Sequence, residues 1–402
     1  MTQSVERGLF SGIRVLDVAT VLAGPVTATM LGDFGAEVVK IEEPGRGDFT
    51  RARAKERGGR SLQWLQEGRN KKSVALDLRA PEGREILRKL IPRFDVVITN
   101  FRPPTLEAWG LGPEDLQTLH PTGILVYLTA YGLTGPNRGL GAFDRIASAY
   151  SGLTYVSGEP DAPPVRAGYS VIDYMAGYTA SFAVAGALYH REAHGGGGQV
   201  IDLALYEPAL RSAEDSLIEY SVNRVIRERT GNRNPYIVPA SDFTAADGRR
   251  VSVHAGTDSL FPRLAQVMDQ PELAADERFA RLAERLRNAD VLYDLIARWV
   301  ASAPADVILE RCVRAGIPAS TVNNVEDIFN DDHMRARGNL LTMTDEEHGD
   351  VTMLAPIPRM SKTPGGVHSL GPVLGAHTDA VLTDELGLAG DEIRGLRDRG
   401  VI

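Results

Sequence analysis

Asp173 is the acidic residue whose neighbours in the sequence most favour chemistry. It lies within Tyr169-Ser170-Val171-Ile172-Asp173-Tyr174-Met175-Ala176-Gly177, and small or apolar residues continue on either side. A carboxylate in such a segment is partly desolvated, so it must be paired, have a raised pKa or serve a function. Aspartate is also favoured at helix N-caps, so spacing alone leaves a capping role and a catalytic role equally open. The two roles can coexist, so Asp173 is a candidate for both.

Motifs for the common cofactors are missing from the sequence. No G-x-G-x-x-G follows the first predicted strand, and there is no G-x-x-x-x-G-K-[ST] phosphate loop. There is neither a G-x-S-x-G nucleophile elbow nor a His/Cys cluster with zinc spacing. His190 and His194, the only close histidine pair, run into the connector Gly195–Gly198, so no metal site is predicted. Cys312 lies in an apolar helical pattern and is predicted to be a core residue.

The segments that must position Asp173 alternate between strand and helix patterns. Apolar runs at Ile13–Val18 and Ala36–Glu42 flank helical spacing at Val26–Phe34, which predicts a β-α-β unit. The further predicted elements are strands at Ser73–Leu78, Asp95–Thr99, Ile124–Thr129 and Val200–Leu205, and helices at Pro81–Ile91, Ser170–His190 and Glu207–Glu228. The sequence thus predicts an α/β fold whose large domain is a Rossmann-like sheet with helices on its faces.

The length of 402 residues suggests two domains, at roughly 100–200 residues per domain. The composition changes at Thr230–Pro239, and Ser241–Thr244 followed by Arg250–His254 predicts a hairpin. The predicted bounds are 1–228 for a large α/β domain completed by 326–402, and 229–325 for a small α+β domain.

The overall charge and the termini exclude several classes of partner. The net charge is −9 and the basic residues are scattered, which opposes binding to nucleic acids or anionic membranes. Met1–Ser11 lacks the basic start and apolar run of a signal peptide, and no apolar stretch approaches the roughly 20 residues of a membrane span. A single cysteine allows no intramolecular disulfide, which fits a reducing cytosol. We expect a cytoplasmic protein.

Short blocks along nearly the whole chain form a recognisable series. The blocks are Gly12–Asp17, Ala23–Pro25, Gly35–Glu42, Gly47-Asp48, Asn70–Leu78, Asp95–Pro103, Gly132–Pro136, Gly198-Gln199 and Pro372–Thr378. Each block alone is weak, but all of them in order are specific. Together they resemble one family, the class III coenzyme A transferases, which are related to the 2-methylacyl-CoA racemases.

The resemblance implies an enzyme that moves CoA between an acyl-CoA donor and a carboxylic acid acceptor. Asp173 matches the family's nucleophile, which attacks the acyl-CoA carbonyl to form a mixed anhydride. The released CoA thiolate then attacks the aspartyl carbonyl, and the acceptor carboxylate reverses the sequence from the resulting thioester. CoA thioesters are thus expected as substrates, with no tightly bound cofactor and no metal.

The resemblance also implies where CoA binds. The family places the turn Val21–Gly24 beside the thioester, which makes Val21 and Leu22 candidate contacts. Ala108 replaces an arginine that the family commonly has, so another arginine must compensate. The remaining candidate contacts are Leu76, Arg79, Asn100, Phe101 and Arg102, with Arg102, Arg138 or Arg145 as the compensating arginine.

The acceptor acid and two other activities remain open. Arg51 and Arg53 could bind the second carboxylate of a dicarboxylate such as succinate, or could simply be solvated. The related racemases need a histidine just before an aspartate, and this chain has Phe143 before Asp144, so transfer is favoured over racemisation. A non-catalytic CoA-binding protein would be expected to lack Asp173. Similar proteins form interlocked homodimers, so we expect a homodimer with the active site at its interface, between a large and a small domain.

Overall fold

The structure, a computed structural model, describes residues 8–52 and 60–402 and the backbone of the strand Glu56–Arg57. The strands are β1 (Arg14–Asp17), β2 (Glu37–Glu42), β3 (Glu56–Arg57), β4 (Arg60–Ser61), β5 (Lys71–Ala75), β6 (Val96–Thr99), β7 (Ile124–Thr129), β8 (Gln199–Ala204), β9 (Ala240–Thr244), β10 (Arg250–His254), β11 (Ala319–Thr321), β12 (Leu340–Asp345) and β13 (Gly349–Leu354). The α-helices are α1 (Ala23–Asp33), α2 (Leu62–Glu67), α3 (Pro81–Leu90), α4 (Pro103–Ala108), α5 (Pro113–Leu119), α6 (Asp144–Tyr150), α7 (Val171–His194), α8 (Glu207–Arg211), α9 (Ser216–Asn223), α10 (Phe261–Val267), α11 (Leu282–Arg287), α12 (Ala289–Val300), α13 (Ala305–Arg314), α14 (Val325–Asn330), α15 (Asp332–Ala336), α16 (Thr378–Leu386) and α17 (Gly390–Asp398). Short 3₁₀ helices span Phe49–Arg51, Ile91–Arg93 and Pro271–Ala274.

In the described part of the chain, six parallel strands form the main sheet in the order β5-β2-β1-β6-β7-β8. Val15 of β1 pairs with Val38 of β2 on one side and with Val96 of β6 on the other. Every residue of β7 is buried, as expected where helices cover both faces of a parallel sheet. The predicted α/β fold with a parallel central sheet is confirmed.

Alternating side chains of these strands feed two hydrophobic cores. Leu16 and Val39 belong to one core, together with apolar residues of α3 and α16. Val15 and Val38, one residue earlier in each strand, belong to the other core, with α1 and α7. Because successive strand residues point to opposite faces, the two cores lie on the two sides of the sheet.

The C-terminal segment covers the edge of the main sheet. Strand β5 is an edge strand, whose outer backbone groups would otherwise be unpaired. The His377 backbone nitrogen donates to the Ser73 carbonyl over 2.9 Å, and the Ala75 nitrogen donates to Oγ1 of Thr378 over 2.9 Å. The Ser73 nitrogen also bonds Nδ1 of His377 at 3.1 Å. These bonds make the C-terminal segment part of the sheet-containing unit.

The described residues form two compact units. The first contains the described residues up to Leu153, Ala167–Leu217 and Arg335–Ile402, and the second contains Thr154–Arg166 and Ile218–Met334. In the second unit β9 and β10 form the predicted antiparallel hairpin, and β11 pairs with the other edge of β10. Cys312 is fully buried in the core of that unit, as predicted. The predicted limits of the small domain, 229–325, stay a prediction.

The predicted long helix at Glu207–Glu228 was wrong. The structure has two short helices there, α8 and α9, separated at Ser212–Asp215. Oγ of Ser212 donates a hydrogen bond to the Pro208 carbonyl at 2.9 Å. A side-chain bond of this kind to the carbonyl four residues earlier weakens helices. Glu214 then takes a left-handed conformation with φ 52°, which ends regular helix.

Helix α7 is the one described helix that is long and apolar enough to cross a membrane. Within the chain, 44% of its most apolar window is buried. Core helices of soluble proteins pass the same test, so this helix is weak evidence for a membrane span.

Candidate active site

A cavity of about 320 Å³ lies at the carboxyl ends of β1, β2, β5 and β6. The strand order of the main sheet changes direction between β1 and β6, and ligands of open parallel sheets usually bind at that position. The walls include Thr20, Asp48, Leu76, Arg79 and Phe101, from the loops that follow these four strands, and Trp109, which follows α4.

Three of the predicted CoA contacts line this cavity. They are Leu76, Arg79 and Phe101. The rings of Phe101 and Trp109 meet edge to face, with centroids 5.1 Å apart. The Arg79 side chain is exposed and pairs with Glu43 and, at 3.3 Å, with Asp77. A guanidinium in this position can exchange a carboxylate for a phosphate, since its planar fork suits both.

Asn100, also predicted to bind CoA, fixes the backbone after β1. Its Oδ1 accepts from the Thr20 nitrogen at 2.8 Å, and its Nδ2 donates to the Thr20 carbonyl at 2.6 Å. Both polar atoms of the amide are therefore engaged by one residue of the neighbouring loop. Asn100 positions the turn that begins at Thr20.

The turn at Val21 carries backbone strain. Val21 has φ 69°, in the left-handed region that β-branched residues rarely adopt. Its nitrogen donates to Oδ2 of Asp48 over 3.2 Å. A Cβ at Gly24 would lie 2.3 Å from Cβ of Ala19, so only glycine fits that position of the turn. The turn is thus closely packed and held by side chains from other loops.

A network of buried charges surrounds this turn. Nζ of Lys40 lies 3.1 Å from Oδ2 of Asp48 and 3.6 Å from Oδ2 of Asp17. Nζ of Lys71 lies 2.9 Å from the same Asp17 oxygen. Lys40 also donates to the Ala19 carbonyl at 2.8 Å. Buried charges persist only when they are paired, and here the pairs tie the turn to β1, β2 and β5.

The pKa values in this network follow from burial and pairing. Burial acts to lower the pKa of Lys40, but Asp17 and Asp48 outweigh it and the pKa is raised. Burial likewise acts to raise the pKa of Asp48, and Lys40 with Thr50 outweighs it, so this pKa lies below its usual range. For Lys71 burial dominates and the pKa is lowered, with Asp17 opposing the change. Lys40 and Asp48 therefore form an ion pair at neutral pH.

Arg51 is held by structural partners. Its Nε and Nη2 lie 2.7 Å from the two carboxylate oxygens of Glu42, and its Nη1 donates to the Pro372 carbonyl at 2.9 Å. The guanidinium also stacks on the ring of Trp64, 3.8 Å from the centroid. These contacts favour a role in joining β2 to the C-terminal segment over binding a substrate carboxylate. Arg53 lies outside the described residues.

Asp173 is the third residue of α7, and Ser170 occupies the N-cap position. The N-cap interpretation of Asp173 was therefore wrong. The Asp173 residue is 8% exposed. The start of the helix is fixed on both sides of it, since the Ile172 nitrogen donates to Oδ2 of Asp144 at 2.8 Å and the Tyr174 hydroxyl donates to Oε1 of Glu67 at 2.9 Å.

Helix α7 packs closely on α1 at Gly177, one turn after Asp173. A Cβ at Gly177 would lie 2.7 Å from Cγ1 of Val26 and 3.1 Å from the Ala23 carbonyl oxygen. Asp173 lies on the same face of α7 one turn earlier, about 5.4 Å along the helix axis. The buried carboxylate is thus about one helical turn from the contact with the first residue of α1.

The model of one protein family, described as CoA-transferase family III, matches residues 10–378. The chain belongs to this family. Relatives with assigned activities agree: a succinyl-CoA–D-citramalate CoA-transferase of Chloroflexus aurantiacus is 42% identical over 97% of both chains. The beta subunit of a succinyl-CoA–L-malate CoA-transferase of the same organism is 42% identical over 98% of both chains. The protein is a class III acyl-CoA:carboxylate CoA-transferase.

A solved structure of the same fold supports the assignment. A CaiB/BaiF family protein from Brucella suis superimposes with a TM-score of 0.83 and is 31% identical. The match covers 94% of this chain and 100% of that protein. The parallel central sheet of this CoA-transferase is therefore that of the CaiB/BaiF proteins.

Three arginines predicted to bind CoA lie outside the walls of the cavity described above. Arg138 pairs with Glu107 at 2.6 Å and lines a separate cavity of about 330 Å³. Arg102 and Arg145 are exposed. Their part in CoA binding stays a prediction. Among the described residues there is no cluster of acidic, histidine or cysteine side chains that could hold a metal ion.

Sequence reasoning missed the residues that hold the site together. Lys40 and Asp48 are fully or almost fully buried, and the burial of neither residue was predicted from the sequence. The available signal was a lysine between Val39 and Ile41, in the middle of an otherwise apolar strand. Asp144 was noticed only because it follows Phe143, although its carboxylate caps the helix that carries Asp173.

Proposed function

We propose that this CoA-transferase works through a covalent aspartyl-CoA thioester on Asp173. A carboxylate oxygen of Asp173 attacks the donor thioester carbonyl, and the C–S bond breaks to give a mixed anhydride and CoA thiolate. The thiolate attacks the aspartyl carbonyl, the anhydride C–O bond breaks, and the donor leaves as a free carboxylate. The acceptor carboxylate then takes CoA by the same steps in reverse. The observation that carries the proposal is a carboxylate, 8% exposed, in the first turn of α7, one turn before the close contact of that helix with α1.

The burial of Asp173 suits this chemistry. A mixed anhydride is destroyed by water, so a site that excludes water protects it. Each tetrahedral intermediate needs hydrogen-bond donors for its oxyanion. The nitrogens of Ala19, Thr20 and Val21 are already bonded to Asp17, Asn100 and Asp48. The nitrogens of Leu22, Ala23 and Gly24 precede the first helical bond of α1, from Val26 to Leu22, and they are the candidate donors.

The substrates proposed are succinyl-CoA as donor and a four- or five-carbon dicarboxylate as acceptor. The two relatives at 42% identity are named for succinyl-CoA with citramalate or malate. A succinate–glutarate CoA-transferase of Agrobacterium fabrum, 33% identical over 93% of this chain, is also named for two dicarboxylates. Racemisation is the second candidate and is disfavoured, because Phe143 cannot carry a proton.

The test is trapping of the thioester in the purified enzyme. Incubation with succinyl-CoA followed by hydroxylamine should label Asp173, and Asp173→Asn should give no label and no CoA exchange. Asp161→Ala removes an exposed carboxylate and is the matched control. Full CoA exchange by Asp173→Asn would overturn the mechanism.

A screen of malate, citramalate, glutarate and monocarboxylates would overturn the substrate proposal if the monocarboxylates reacted fastest.

We also propose a homodimer in the cytoplasm. The chain exposes large apolar side chains on its helices, including Phe182 at 79% and Tyr189 at 67% on α7, and Ile218 and Val222 on α9. Each pair recurs at helical spacing and so forms a stripe, and apolar stripes of this kind usually mark protein interfaces. Light scattering should give twice the mass of the chain, and Phe182→Glu should weaken the assembly. A wild-type monomer would contradict the proposal.

A further inference from the structure

We propose that Asp48 is a positioning residue of the CoA-transfer reaction, which holds the strained Val21 turn in the geometry that Asp173 requires. This inference rests on the proposed function, because it assumes that the turn serves chemistry at Asp173. Asp48 acts through the backbone of Val21, and no contact between Asp48 and the substrate is part of the proposal.

Val21 needs an external constraint. A valine at φ 69° is in a conformation that its branched side chain disfavours, and such residues relax unless their surroundings hold them. The neighbouring Thr20 cannot relieve this strain by changing its own backbone conformation, because Asn100 binds both its nitrogen and its carbonyl. The turn is therefore free to relax mainly at Val21.

Asp48 supplies this constraint. Its Oδ2 accepts from the Val21 nitrogen at 3.2 Å and lies 3.1 Å from Nζ of Lys40. The same ammonium donates to the Ala19 carbonyl at 2.8 Å. Lys40 and Asp48 therefore bind the backbone on both sides of Thr20. One carboxylate oxygen thus joins the strained residue to a fully buried cation.

Asp48 is itself rigid. Its Oδ1 accepts from the nitrogen of Thr50 at 2.8 Å and from the Thr50 hydroxyl at 2.7 Å. Its own nitrogen donates to Oε1 of Glu42 at 2.9 Å. With 3% of the residue exposed, the carboxylate has little freedom to follow a relaxing turn. Preorganised groups of this kind lower the reorganisation that catalysis needs.

The test is rescue by glycine. Asp48→Asn should lower kcat for CoA transfer about tenfold with little change in KM, because the backbone strain at Val21 is then no longer opposed and the turn relaxes. Adding Val21→Gly should restore most of the lost kcat, because glycine adopts a positive φ without strain. Thr50→Val, which removes only the hydroxyl bond to Asp48, is the milder second variant and should show a smaller fall with the same rescue.

Asp33→Asn is the matched control. Asp33 is equally buried and pairs with Arg69 at 2.6 Å, so its loss should lower thermal stability without being rescued by Val21→Gly. An unchanged kcat in both Asp48→Asn and Thr50→Val would overturn the proposal. So would a fall in kcat that Val21→Gly does not restore, or a rise in KM alone, which would mean direct contact with the substrate. Failure of the proposed function is distinguishable, because it would leave thioester trapping at Asp173 absent in the wild-type enzyme itself.

Discussion

The backbone nitrogen of Val21 and a carboxylate oxygen of Asp48 lie 3.2 Å apart, although 27 residues separate them in the chain. The first residue follows β1 and the second follows β2, and these strands are neighbours in the parallel sheet. The sheet therefore brings the two loops together at its carboxyl edge, and the side chain then fixes the backbone angle. Several variants follow from contacts of this kind.

Gly177→Ala should destabilise the enzyme by about 1–3 kcal/mol, because the added methyl group overlaps Val26 at 2.7 Å where α7 crosses α1. Gly186→Ala in the same helix is the control, since no atom lies within 4 Å of its added Cβ. The control should gain up to about 1 kcal/mol through helix propensity. Urea unfolding of both variants checks the pair, and equal effects would contradict the packing of the two helices.

Arg69→Met should cost about 3–5 kcal/mol of folding free energy at pH 7, because it leaves the Asp33 carboxylate buried without its cation. Burial already raises the pKa of Asp33 despite the pairing with Arg69. The loss should therefore be smaller at pH 5, where the carboxyl of the variant is more readily protonated. Arg287→Met, which breaks an exposed pair with Glu284, should change stability little. A loss independent of pH would contradict the explanation.

The hairpin of β12 and β13 should show acid-sensitive stability that depends on Asp345. Burial acts to raise the pKa of Asp345, but hydrogen bonds from His348 and Glu347 and the charge of Arg60 outweigh it and lower the pKa to about 2. A lowered carboxyl pKa stabilises the folded state above the unfolded pKa of about 3.9 and loses this effect as the pH falls toward 2.

Asp345→Asn should therefore cost about 1–2 kcal/mol at pH 7, and the difference from wild type should shrink between pH 4 and pH 2. Asp350→Asn, an exposed carboxylate of the same hairpin that accepts from Thr344, is the control. The check is to measure denaturant midpoints of both variants and of the wild type from pH 7 to pH 2. A difference that stayed constant down to pH 2 would contradict the ion pairing.

Arg79→Ala should raise KM for the CoA donor roughly tenfold and leave kcat nearly unchanged, since a phosphate contact outside the reacting bonds contributes uniform binding. Arg249→Ala is the control, because Arg249 is an exposed arginine that pairs with Asp306 and does not line the cavity. Steady-state kinetics with succinyl-CoA would check both. An unchanged KM would remove Arg79 from the set of CoA contacts.

The sheet could be predicted from the sequence because its strands are apolar runs. Ile124–Thr129 was predicted with the bounds the structure has, and the hairpin around Asp247-Gly248 also formed. The break between α8 and α9 could not be predicted, since it depends on the side-chain bond of Ser212 and on the conformation of Glu214. The local sequence thus predicted strands and helices well where the alternation or spacing of apolar residues was regular.

The site was predictable only in part, for a related reason. Leu76, Arg79 and Phe101 line the cavity because each follows a strand of the sheet, and their contact with CoA stays a prediction. The structure pairs Asn100 with Thr20 and Arg51 with Glu42, and neither pairing was predicted from the sequence. Such pairing depends on which strands are neighbours and in what register, and composition along one segment does not contain that information.

The bonds from His377 and Thr378 to the edge strand β5 have a consequence for synthesis of the protein. A chain emerging from the ribosome completes β5 about three hundred residues before the segment that covers it. During that interval the edge strand of the nascent sheet has unpaired backbone groups that can bind strands of other chains. A premature stop shortly before residue 377 would leave the same edge open permanently, so nearly complete chains should be captured by chaperones or degraded far faster than the finished enzyme.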